Sequence, residues 1–395
     1  MLNTLLRFGS ALLLITAILP YSAMAAEPNV IIVGLDADMS AGAANGGLAI
    51  QRGAEIAIDE INSRGGVLGR SLRLVIKDHR GNPARGLDNI ETFARTDNLV
   101  AVLGGVHTPV ALHELELIHQ KQLIYLGPWA AGTTVVKNGY EPNFVFRVSV
   151  RDEYAGAFLV GNALDKGYRK IALALERTGW GRSNERAMKA ALKAEGLEPA
   201  GLSWFHWGSG DMEDAINDLD DNNPDVILLV ANAPEGLTIV KSMASRPVAR
   251  RIPIISHWGI TGGRFFEQAK DILHKVDLSV LQTFSFVKPS FPDRAEKVVK
   301  AYVNRYPDAT DARDIFAPTG TAHAYDLIHI LASAIEKAAT TDRQIVRDTL
   351  ENLGEYKGLV RNYSPAFSVK KHDALDVSDF SLSQYDKNGV IVPLR

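Results

Sequence analysis

The chain has 395 residues, enough for two domains that each bury a core, and its 46% hydrophobic and 23% charged residues are ordinary for a water-soluble globular protein. Its formal net charge is -3, and its lysines and arginines are scattered, so nucleic acid is not an expected partner. The absence of cysteine excludes disulfides, thiolate metal sites, a cysteine nucleophile and a lipid attached through an N-terminal cysteine.

Residues 1–25 combine a weakly basic start at Arg7, an apolar run over 11–19 and the motif Ala23-Met24-Ala25, the pattern of a cleaved secretory signal peptide. Pro20, Tyr21 and Ser22 interrupt the run well before the ~20 apolar residues that a membrane span needs. From residue 30 onwards, short apolar runs alternate with amphipathic segments. The pattern predicts strands over 30–35, 72–77, 100–104 and 123–126, with helices over 50–63, 84–96 and 109–121 between them. It restarts after 144–148, predicting helix 151–166, strand 170–175, helix 184–195, strand 202–205, helix 212–220, strand 226–230, helix 234–244 and strand 252–256. A further strand is expected over 279–287, then helices over 292–306, 319–338 and 342–353. The tail, 380–392, reads as a β-hairpin around Asp386-Lys387-Asn388-Gly389. Two independent strand–helix alternations argue for an α/β chain of two doubly wound, parallel-sheet lobes.

Catalytic signatures are mostly missing: there is no G-x-S-x-G elbow, P-loop, H-E-x-x-H or G-x-G-x-x-G after the first strand. His107, His113 and His119 recur every six residues, near Glu114 and Glu116. Six residues rotate a helix by roughly 600°, so consecutive ones point apart, which favours a solvated helix surface over a metal site. Asp36 and Asp38, at the end of the first strand, are expected to diverge, one of them capping the loop rather than forming a catalytic pair.

The loops after the strands carry small, hydroxyl and aromatic residues. The first strand leads through a Gly/Ala/Ser-rich loop, beginning at Met39, into a helix that ends near Gly65-Gly66. Open parallel sheets place ligands at such loops. Gly104-Gly105-Val106-His107-Thr108 precedes a helix whose free N-terminal N–H groups suit a carboxylate, with Thr108 able to add a hydroxyl or simply to cap the helix. Trp129, Trp180 and Trp258 each follow a parallel strand, on loops from both expected lobes, and together predict a cleft lined by aromatics.

Met39-Ser40, Gly53-Ala54, Ile61-Asn62 and Gly65-Gly66, with Gly139-Tyr140, Trp180-Gly181 and Pro234-Glu235 later, resemble the leucine/isoleucine/valine-binding family of type I periplasmic solute-binding proteins over nearly the whole chain after residue 25. The resemblance implies two lobes joined by a three-strand hinge, with 26–148 plus 284–378 in the first and 149–283 plus 379–395 in the second. It implies a monomeric, periplasmic, non-enzymatic clamp without a cofactor, which closes on a small molecule and delivers it to an ABC permease of the inner membrane. A ligand sensor feeding a membrane receptor or kinase is the alternative use of the same fold.

By the same resemblance, Thr108 takes the place of the hydroxyl that meets a ligand carboxylate, with His107 beside it. Ala131 stands where a second hydroxyl is usual, and Thr133 is close enough to replace it. Trp180 keeps an aromatic position, Asn232 aligns with a tyrosine, and Trp258 stands where an acidic residue usually holds an ammonium. Gly46, where relatives often carry an aromatic, is expected to leave room for a larger ligand. A buried ammonium without a carboxylate partner is disfavoured by several kcal/mol, whereas an indole face offers a cation only about 0.5–2 kcal/mol. These departures favour a carboxylate- or amide-bearing aromatic over a branched-chain amino acid, with an amino acid still open.

Overall fold

A computed structural model describes residues 30–394, apart from 211 and 221. The expected signal peptide, 1–25, lies outside the described residues. The first sheet holds β1 (Val30–Ala37), β2 (Ser71–Asp78), β3 (Leu99–Leu103), β4 (Ile124–Gly127) and β5 (Val145–Arg147) in the order β2-β1-β3-β4-β5. All its pairings are parallel. β3, β4 and β5 are buried at every position, as strands covered on both faces must be, which is why they read as unbroken apolar runs. Helices α1 (Ala44–Ser63), α2 (Pro83–Ala94), α3 (Thr108–Gln120) and the short α4 (Thr133–Val136) connect them.

The second sheet is built from β6 (Ile171–Glu176), β7 (Gly201–Phe205), β8 (Val226–Val230), β9 (Ile254–Ser256) and β10 (Leu278–Gln282), interleaved with α5 (Asp152–Asp165), α6 (Gly179–Ala194), α7 (Glu213–Asp220), α8 (Ala233–Ser245) and α9 (Phe265–Leu273). Its order is β14-β13-β10-β9-β8-β6-β7, completed by the antiparallel pair β13 (Ser381–Tyr385) and β14 (Ile391–Pro393). The side chain of Asp386 holds the tail hairpin by accepting from the N–H groups of Asn388 and Val390.

The chain leaves the first sheet after Arg147, leaves the second after Gln282 and re-enters the second at Ser381. Between the last two points lie α10 (Pro292–Arg305), α11 (Pro318–Ala338), α12 (Arg343–Glu351) and a small hairpin of β11 (Tyr356–Lys357) and β12 (Asn362–Tyr363). α10 and α11 pack on α1 of the first lobe. Gly53 makes this possible, because a Cβ there would sit 2.1 Å from the Thr321 carbonyl oxygen. The predicted strand over 279–287 stops early. From Thr283 the chain turns into the passage between lobes, where Thr283 Oγ1 meets His323 Nε2 at 2.9 Å and Phe284 packs edge-on against Phe286. Strand order reverses at β1 in one lobe and at β6 in the other, and the crevices beside their C-terminal ends are where open sheets hold ligands.

Candidate ligand-binding cleft

The first-lobe wall is formed by the loops after β3 and β4. α3 begins at Thr108, after His107 in extended backbone; Pro109 has no N–H and Ala111 bonds the His107 carbonyl, so Thr108 and Val110 supply the first-turn N–H groups without a partner in the helix. Thr108 Oγ1 accepts from Gly132 N–H at 3.0 Å, tying the two loops together and leaving its hydroxyl hydrogen for another acceptor. Arg147 carries the second loop, since its Nη1 donates to the carbonyls of Ala130 and Gly132, both at 2.9 Å, while its Nε donates to Asp373 at 2.6 Å. Ser149 Oγ donates to the Trp129 carbonyl at 2.8 Å. Trp129 is thereby fixed on a fully buried scaffold.

The second-lobe wall comes from three helix starts. Thr178 caps α6 through Trp180 N–H, and the Trp180 indole N–H donates to Asp152 at 3.3 Å. Asn232, at the start of α8, donates through Nδ2 to Glu176 Oε2 at 2.7 Å. Trp258 opens a 3-10 turn and donates its backbone N–H to His257 Nδ1 at 2.9 Å. His257 Nε2 then lies 3.2 Å from Asp152 Oδ1, within ion-pair distance though off the hydrogen-bond line. Only glycine fits at 259, because a Cβ there would lie 2.4 Å from Trp180 Cη2.

His107, Thr108, Trp129, Ala131, Trp180, Asn232 and Trp258 all line one space between the lobes, together with Val106, Pro109, Glu176 and Gly259. The rings of Trp129 and Trp258, from opposite lobes, lie 5.3 Å apart. Measured at the centre of a water-sized sphere, the space is about 10 Å³, room for one water. Two expected residues are not on this lining. Thr133 starts α4, and its hydroxyl accepts from Glu153 N–H, capping α5, so it does not replace the hydroxyl missing at Ala131. Gly46 leaves no space either, since a Cβ there would be 3.0 Å from Val106 Cγ2 and 3.5 Å from Gly262 Cα.

The solvated helix surface expected around His107–His119 needs correction as well. His113 is exposed, but His107 and Glu114 are buried. His107 Nε2 meets Asp38 Oδ2 at 3.1 Å. Asp38 also caps its loop, accepting from the N–H groups of Ser40, Ala41 and Ala43. Burial alone would raise the Asp38 pKa, yet the bonds from His107 and the backbone hold it down to about 2. Asp36 diverges to meet Asn89 and Glu114 beneath α2 and α3.

Sequence reading missed two residues of the cleft. Glu176, the last residue of β6, is buried on the lining, and its Oε1 accepts from Thr178 Oγ1 at 2.9 Å. Burial, with the charge of nearby Glu235, pushes its carboxyl up to about 8 against the opposing bonds from Thr178 and Asn232. An acid is therefore present in the cleft, although not at Trp258. Its signal was a charged residue closing an apolar run just before a strand-end loop. Trp207, on the loop after β7, sets its ring 4.7 Å from that of His107, tilted against it, across the mouth of the cleft. It too is a tryptophan at the C-terminal end of a parallel strand.

The family model described as "Periplasmic binding protein" matches residues 30–389. A Leu/Ile/Val-binding protein of Rhizobium johnstonii is 25% identical over 316 residues, 79% of this chain and 80% of the relative. Among solved structures, a type 1 periplasmic binding protein from Bordetella pertussis Tohama I superposes with a TM-score of 0.83 at 21% identity, covering 93% of this chain and 100% of that one. A solute-binding protein of an ABC transporter from R. palustris, in complex with 4-hydroxybenzoate, gives 0.75 at 17% identity, with 93% and 96% covered. Such relatives are substrate-binding proteins rather than enzymes. The chain belongs to the periplasmic binding protein family, with the type I fold of the leucine/isoleucine/valine-binding group.

Proposed function

We propose that this protein is the periplasmic substrate-binding component of an ABC importer and that it captures a small planar aromatic solute bearing a carboxylate. The observation that carries the reading is the convergence of Trp129, Trp180 and Trp258, from both lobes, on the space that Thr108 and the N-terminus of α3 also face. Flat indole faces favour a ring over a branched aliphatic chain, and the helix terminus favours the anion. A space of about 10 Å³, with Trp129 and Trp258 in direct contact, admits no ring, so a bound ring requires the lobes to stand further apart at the hinge than they do here. Hinge closure around the ligand is the mechanism of capture. Delivery follows by docking of the closed clamp on a membrane permease, the partner that the family's role implies.

A thermal-shift comparison of leucine, benzoate and 4-hydroxybenzoate on the purified protein tests this. A ligand at 100 times its Kd should add ~2.7 kcal/mol of stability. Stabilisation by the aromatic acids but not by leucine is the expected result, and stabilisation by leucine alone would sink the proposal.

A further inference from the structure

The two walls of the cleft carry different polar groups. On the first-lobe side stand donors: the Thr108 hydroxyl and the first turn of α3. On the second-lobe side one Asn232 Nδ2 hydrogen goes to Glu176 and the Trp180 indole N–H to Asp152, while the second Asn232 N–H has no acceptor among the described residues. Also there is the carboxyl of Glu176, only 1% exposed, lying on the lining at the point where strand order reverses around β6. Each of its oxygens accepts one bond from the protein, at 2.9 Å from Thr178 and 2.7 Å from Asn232. A carboxyl keeps acceptor capacity beyond two such bonds, protonated or ionised. Behind it, Glu235 is fully buried with Oε1 bonded to Gly208 N–H at 2.7 Å and Oε2 without a partner.

We infer that Glu176 is the acceptor for an O–H or N–H group carried by the ligand at the end opposite its carboxylate, which narrows the substrate class to aromatic acids bearing such a donor. The assignment rests on the aromatic-acid reading of the cleft. In that arrangement the ligand bridges the lobes: its anion lies on α3, its ring between the indoles, its donor on Glu176. An analogue without the donor leaves a desolvated carboxyl short of a partner, and sites built around a substrate hydroxyl reject such analogues strongly.

Isothermal titration with 4-hydroxybenzoate, benzoate and 4-methoxybenzoate tests the inference on the wild-type protein and on Glu176→Met. The wild type should prefer 4-hydroxybenzoate by about tenfold or more, the worth of one hydrogen bond to a buried carboxyl. In Glu176→Met that preference should vanish, with 4-hydroxybenzoate losing at least about tenfold more affinity than benzoate or 4-methoxybenzoate. Should that variant fail to fold, Glu176→Asp, which withdraws the acceptor by one methylene, must show the same selective loss. An unchanged preference overturns the inference. So does an equal loss for all three acids, which would make Glu176 only a brace between Thr178 and Asn232. If none of the three acids binds the wild type, the aromatic-acid reading itself falls and takes this assignment with it.

Discussion

Trp207 of the second lobe lies against His107 of the first, with ring centroids 4.7 Å apart and planes inclined at 51°. Neither ring is free to drift. Asp38 holds the imidazole at 3.1 Å, and the neighbouring Gly208 N–H is bonded to the buried Glu235. The pair spans the mouth of the cleft, where Arg80, Gly81 and Pro234 line the remaining space. On the proposed function, a ligand held beneath the indoles would pass this contact on its way out.

Trp207→Ala should therefore speed release more than it slows capture. An aromatic pair contributes about 0.5–1.5 kcal/mol beyond its buried area, which corresponds to a roughly two- to tenfold faster dissociation. Stopped-flow displacement of bound 4-hydroxybenzoate measures it directly. An unchanged dissociation rate would show that Trp207 plays no part in closure.

Trp258→Ala addresses the ring-binding wall. Trp258 is 1% exposed and stands between Trp129 and His323, at 5.3 and 5.8 Å. Removing it takes away one face of the clamp, and affinity for aromatic acids should fall about tenfold or more, the size of loss expected of a buried aromatic anchor. Calorimetric titration below the melting transition separates this from the accompanying loss of stability. Undiminished affinity would remove the aromatic cleft from the account.

Most of the fold was legible because strands covered on both faces are continuous apolar runs, as in β3 and β8. The strand-end tryptophans were legible for a related reason: a large ring in a loop of small residues needs something to pack on. What escaped notice depended on long-range neighbours. Glu176 looks like the solvent boundary of a strand, and only the position of β6 between β8 and β7 places it inside the cleft. Gly46 looks like an opening until Val106, from a loop sixty residues away, fills it. On α3 the six-residue spacing separates His113 from His119, while His107 lies before the helix in extended backbone. That spacing carried no information about which face the sheet covers, so Glu114 came out buried beside an exposed His113.

The scaffold beneath Trp129 is predicted to be the most sensitive polar site. Arg147 is fully buried, and its guanidinium links Asp373 to the loop carbonyls of Ala130 and Gly132. Asp373→Ala leaves that cation without its carboxylate, a change that costs about 3–5 kcal/mol for a buried pair. Denaturant unfolding should show this loss, with weaker 4-hydroxybenzoate binding in the variant because the loop loosens. A loss below about 1 kcal/mol, the range of exposed pairs, would contradict the role.

Alkaline pH should weaken the fold through the first lobe. Asp36 and Glu114 bring two carboxyls together beneath α2 and α3, beside the buried Tyr125. Burial first, and then the charge of Glu114, push Asp36 up to about 10, and burial raises Glu114 as well. The folded state thus keeps protons that the unfolded chain releases near pH 4. Their stabilising contribution is fully present below that pH and is lost progressively as pH rises towards 10. Asp36→Asn is the informative variant. Its amide can accept from Asn89, as Asp36 does at 2.7 Å, and can donate permanently to Glu114, as the protonated acid does. Urea unfolding between pH 7 and about pH 10 should therefore show a flatter decline in the variant than in the wild type. Equal slopes would mean that the pair does not hold its proton in the folded state.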